Sequence, residues 1–77
     1  MLDKNIFSER VKALRLNRGI SQSTLGQSLN MRKTSISMME RATNAASSDT
    51  LVALADYFDV SIDYLVGRTD NPDSHKL

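Results

Sequence analysis

Seventy-seven residues predict one small domain, because a chain of this length buries only roughly 60 to 65% of its unfolded surface. The absence of cysteine excludes a disulfide framework and a thiolate metal site, so stability has to come from apolar packing. Net charge is only +1, but residues 1–41 hold eight basic against three acidic residues and residues 42–77 two against six. That division predicts a cationic face for a polyanion with the acidic half turned away, the alternative being solvated helix faces that are unevenly charged.

Apolar residues recur at helical spacing throughout and no stretch alternates as a strand does, which predicts an all-α fold of short helices. Ile6, Phe7, Val11 and Leu14 predict a first helix from about Asn5 to Asn17, closed by Gly19. Ser21 can cap a second, short helix that buries Leu25 and Leu29, and Asn30 tolerates the left-handed turn into the third. "ATNAASSD" reads as a loop. Ser47 or Ser48 then caps a fourth helix, with Asp49 in its first turn and Leu51, Leu54, Ala55 and Phe58 inward. "VSIDYLVG" reads as a last helix of one to two turns, capped by Ser61, stapled by Val60 and Leu65 and stopped by Gly67. The domain so predicted runs over residues 1–68, and "RTDNPDSHKL" closes it with a polar tail, residues 69–77 of which should fray.

The sequence thus holds five short helices, with the second and third, residues 21–41, in a helix-turn-helix arrangement. In the third helix Ile36 and Met39 face the core, flanked by Arg32 and Glu40. Thr34, Ser37, Met38 and Arg41 lie opposite, with Lys33 at the edge. These outer side chains are mostly short, most are donors or donor and acceptor together, and no carboxylate sits among them to repel phosphate. A helix of this kind, following a capped helix by a tight turn, is how base-reading side chains are presented to the major groove. A solvated polar face, with Met38 a loosely packed surface methionine, is the alternative.

From Phe7 to Arg68 the chain resembles the Cro and phage-repressor type of helix-turn-helix domain, on "FSERVKALRLNRGISQSTLGQSL", "TSISMMER" and "LVALADYFDVSIDYLVGRTD". The resemblance implies a lambda-repressor-like fold and roles for individual residues. Lys33, Thr34, Ser37 and Met38 match positions that reach base edges, with Arg32 a further candidate. Lys33 could donate to guanine, Thr34 and Ser37 could donate or accept, and the methyls of Thr34 and Met38 could pack on a thymine methyl. Gln22 and Ser21 match the phosphate-binding start of the second helix, where the Gln22 amide also braces a side chain of the third. Arg41, Thr43 and Asn44 match backbone-contacting positions, which set register without reading sequence. Arg15 and Glu40 match a structural ion pair. Arg10, Lys12 and Arg18 add long-range attraction or are simply solvated. Many members have glycine where Asn30 and Ala42 stand, and a serine or threonine cap where Arg32 stands. Ala42 predicts that the third helix ends differently or runs further. Arg32 opposes the helix dipole, which predicts a head group reaching away.

A domain of this kind touches few base pairs, so a homodimer on two half-sites is expected, with Ile62, Tyr64, Leu65 and Val66 as its contact. Core completion by Ile62 and Leu65, with Tyr64 ordinary surface, is the alternative. Catalysis finds no support: His75 lies in the tail without a nucleophile near it, and Asp56, Asp59 and Asp63 read as capping or solvated carboxylates. No cofactor, metal or small-molecule ligand is expected, nor a separate sensing domain. The longest apolar runs fall far short of the roughly 18 residues of a membrane span and "MLDKNIFSER" lacks a signal peptide's apolar core, so a cytoplasmic protein is expected. The chain reads as a sequence-specific regulator of transcription on duplex DNA, a repressor on a palindromic operator. A restriction-modification or phage controller, an antitoxin, or a protein-interaction module that has lost DNA binding are the alternatives.

Overall fold

Serines set the start of three helices in the same way. Ser21, Ser47 and Ser61 each have extended backbone and a side-chain oxygen that accepts from the N–H three residues on, at Thr24, Thr50 and Tyr64. Each cap satisfies one of the donors that a helix start leaves without a partner. In this computed structural model, which describes residues 4–42 and 46–73, the elements are α1 (Lys4–Asn17), α2 (Gln22–Ser28), α3 (Lys33–Glu40), α4 (Ser48–Phe58) and α5 (Ile62–Leu65). Among the described residues there is no strand, and the all-α expectation holds.

Every helix is followed within two residues by a left-handed one: Gly19, Asn30, Ala42, Asp59 and Gly67, with φ between 57° and 86°. Ala42 departs from expectation here. It does not prolong α3; it takes φ 59° itself, a conformation that costs an L-residue about 1–2 kcal/mol. The third helix therefore ends where a glycine would have ended it.

The core is built from Phe7 and Val11 of α1, Leu25 of α2, Ile36 and Met39 of α3, Leu54, Ala55 and Phe58 of α4, then Val60 and Leu65. The stapling pair Val60 and Leu65 is buried in this cluster as expected. Leu29 and Leu51 are only half-buried, packed against its edge. The α2–α3 turn is drawn tight by the Gly26 carbonyl, which accepts from the N–H of Met31 at 2.7 Å.

The hydrogen bonding does not stop at Arg68, where the sequence puts the start of the tail. The N–H of Ser61 donates to the carbonyl of Pro72 at 2.9 Å, and Arg10 of α1 reaches the carbonyl of Thr69 at 2.6 Å and the carboxylate of Asp70 at 2.7 Å. Residues 69–72 are thus tied to the helices, because an arginine sixty residues earlier in the chain finds its acceptors there.

Candidate nucleic-acid interface

The inner side of α3 is anchored by a carboxylate. Arg15 donates to Glu40 twice, Nε to Oε2 at 2.6 Å and Nη2 to Oε1 at 2.9 Å, while its Nη1 reaches the carbonyl of Ile20 at 2.9 Å. Gln22 adds a bond from Nε2 to Glu40 Oε1 at 3.2 Å. The side chains of Arg15 and Glu40 keep only 11% and 3% of their accessibility, so the pair is desolvated and its two-point geometry is what makes it favourable. The hydrogen bonds that Arg15 donates to Glu40 raise its guanidinium above the ordinary arginine value, against the opposing effect of burial. A raised basic group contributes fully below its unfolded-state value and loses that contribution only as pH climbs through the folded one, so Arg15's own contribution is constant through the neutral range. One carboxylate thereby fixes the rotation of α3 against α1 and the start of α2.

With Ile36, Met39 and Glu40 turned inward, the other side of α3 is presented. Lys33 and Thr34 are exposed, while Ser37 and Met38 are half-buried and so sit lower on the face than the sequence predicts. Arg32 occupies the cap position with extended backbone, φ −78° and ψ 150°, no side-chain cap bond and an exposed side chain. Arg41 is exposed just past the helix; Thr43 and Asn44 lie outside the described residues.

The Ser21 hydroxyl, on an exposed residue, accepts from the N–H of Thr24 and donates to Thr24 Oγ1, each at 3.0 Å, and so caps α2. One site expectation is corrected. Leu65 is wholly inaccessible in the core and has no surface to offer a second copy, because the short α5 needs it as its own anchor. Of its neighbours, Ile62 is 38% exposed, Val66 is half-buried, and the half-buried Tyr64 carries Arg10 over its ring.

The basic half of the sequence is also partly neutralised within the fold. Arg10 and Arg15 are paired with Asp70 and Glu40. Arg18 donates to the carbonyl of Tyr57 at 2.9 Å and lies over the rings of Tyr57 and Phe58. Lys12, Arg32, Lys33 and Arg41 of that half are exposed. Sequence reasoning missed the roles of Arg10, Arg18 and Gly26; only for Gly26, a glycine inside a helical pattern, was there a local signal of close approach. Among the described residues no group of histidine and carboxylates could hold a metal ion, and no helix is long and apolar enough to cross a membrane.

The profile of the helix-turn-helix family matches residues 11–65. The chain belongs to this family, in its Cro and phage-repressor type. Solved structures are similar to it as well. The P22 c2 repressor in complex with synthetic operator 9T is similar at TM-score 0.75 with 32% identity, over 78% of this chain and 91% of that one. The restriction-modification controller protein C.AhdI from Aeromonas hydrophila is similar at TM-score 0.74 with 27% identity, over 82% and 96%. Two regulators of Bacillus subtilis (strain 168), the uncharacterized HTH-type YobD and the HTH-type ImmR, are each 32% identical, over 88% and 83% of this chain. The chain spans 61% and 50% of the length of these two curated relatives.

Proposed function

We propose that this helix-turn-helix domain regulates transcription by binding duplex DNA, two copies placing α3 in successive major grooves of a palindromic operator, most simply as a repressor. The observation that carries this is the division of α3. Its inner side is held by Ile36, Met39 and a doubly bonded Glu40, and its outer side offers cations, hydroxyls and a thioether with no carboxylate. Lys33, Thr34, Ser37 and Met38 would read base edges, Arg32 and Arg41 would take phosphates, and the second N–H of the Gln22 amide could take another. The similarity to a repressor solved on an operator supports the same assignment. The longest extent of the domain, 28 Å, lets two copies stand side by side on half-sites about 34 Å apart. Nothing in this role needs catalysis or a cofactor, and the place for it is the cytoplasm.

The similarity to C.AhdI favours a second reading within the same chemistry, that of a restriction-modification controller. Titration against genomic fragments at several salt concentrations tests the proposal. Affinity should fall steeply with salt over a short, near-palindromic protected site. A folded protein showing no preference for duplex at about 50 mM salt, where phosphate contacts are strongest, would overturn it in favour of a protein-interaction module. A protected site beside restriction-modification genes would select the controller.

A further inference from the structure

The residues that follow α5 form a strap, and Arg10 of α1 holds it. One guanidinium nitrogen donates to the carbonyls of Tyr64 and Thr69, a second meets Asp70, and the head group lies 4.2 Å from the centre of the Tyr64 ring. Two further contacts fix the strap along its length. The Ser61 N–H takes the Pro72 carbonyl, and Gly67, at φ 86°, sits so close to Ile6 that a Cβ there would come within 2.9 Å of a methyl.

A helix of four residues, as α5 is, is far below the length at which a helix persists alone. What orients it must come from outside, and Arg10 supplies bonds both to α5 and to the strap beyond it. The helix-turn-helix is held by other residues: Arg15, Gln22 and Glu40 on its inner side, Gly26 and Met31 at its turn. None of these takes part in the Arg10 contacts. Both sides also draw on the apolar core, where Leu65 is buried with Phe7 and Leu54, but their polar fastenings share no residue, which favours separate opening.

We propose that Arg10 is a latch: it closes residues 61–72 onto α1 as a unit that opens while α2 and α3 stay folded, so the face carrying Ile62 exists only in the latched form. The fork and the stack do the holding. Arg10's side chain is only 19% exposed, whereas that of Asp70 is 98% exposed, and an ion pair with one partner in water contributes little. The two carbonyl bonds and the ring contact are charge-assisted and sheltered.

Native-state amide exchange on the full chain tests the latch. The reporters are the N–H groups of Ser61, Val66, Gly67 and Arg68, compared with those of Leu29, Met31, Ile36 and Arg41. In the unmodified chain at low urea the first group should exchange together and more readily than the second. A single opening common to all eight would overturn the proposal. Arg10→Met should speed exchange of the first group by about tenfold or more while leaving the second unchanged; an equal rise in both groups, or in neither, would overturn it. Arg10→Lys should behave like Arg10→Met, since charge without the planar fork is not enough, and full protection in that variant would count against the latch. Asp70→Asn should change exchange by less than about threefold, and an effect as large as that of Arg10→Met would assign the hold to the ion pair instead.

Discussion

Gly26 and Met31 meet twice across the turn between α2 and α3. The Gly26 carbonyl accepts from the Met31 N–H at 2.7 Å, and a Cβ built on Gly26 would stand 2.7 Å from the Met31 carbonyl oxygen. In an ordinary helical position alanine is favoured over glycine by about 1 kcal/mol. Here the methyl meets backbone that has no rotamer to escape into. Gly26→Ala should therefore lower stability, by about 1–3 kcal/mol as for other overpacked sites, read as a fall in the urea midpoint. A rise in the midpoint would show that the turn yields.

Removing either half of the pair under α3 should be costly. Arg15→Met or Glu40→Leu alone should each lose about 3–5 kcal/mol, because the partner is left buried without its bonds. For a domain whose whole stability is about 5–15 kcal/mol, that is a large share. Replacing both residues by apolar ones should recover part of the loss. A double-mutant cycle on urea midpoints measures the coupling, and single changes worth under about 1 kcal/mol would mean that the pair behaves as a surface contact.

Ala42→Gly should stabilise. Relief of the left-handed conformation returns about 1–2 kcal/mol, against about 0.5–1 kcal/mol for the greater freedom of glycine in the unfolded chain. The net gain is about 0–1.5 kcal/mol, and each kcal/mol corresponds to about 4–8 °C in Tm for a domain of this size. Calorimetry would reveal it, and a lower Tm would contradict it.

Lys33→Ala and Arg41→Ala should separate on DNA. Loss of Lys33 should relax preference at one base pair by about 1–3 kcal/mol, whereas loss of Arg41 should weaken all sequences alike and reduce the salt slope by about 1. Identical behaviour of the two variants in binding-site selection would collapse the distinction between reading and positioning.

Ile62 and Leu65 should answer different assays. Leu65→Ala opens a cavity in the core and should cost about 2–5 kcal/mol of stability. Ile62→Glu changes an exposed position, so monomer stability should move by no more than about 0.5 kcal/mol while self-association in sedimentation weakens. Unchanged sedimentation would remove Ile62 from the proposed dimer contact.

Much of this fold is written locally. Ser21, Ser47 and Ser61 announce three helix starts, Ile36 and Met39 point α3 at the core, and Asn30 marks its entry, all within a few residues of the elements they define. Arg15 with Glu40 was legible only through the resemblance, since twenty-five residues separate them and spacing carries no signal at that range. Ala42 misled because it takes a left-handed conformation against its own preference. The strap was hidden for a related reason. Its polar composition looks like a free tail, and its acceptors are mostly backbone carbonyls, which every residue has and no sequence displays. Leu65 misled by period: four residues are too few to tell an inward leucine from an outward one.

The division of labour along α3 has an evolutionary consequence. Ile36, Met39 and Glu40 carry the helix's attachment, so the exposed Lys33 and Thr34 can drift at little expense in stability. If these residues read base edges as proposed, descendants of such a chain could acquire a new binding address by changing a few codons while inheriting the same scaffold.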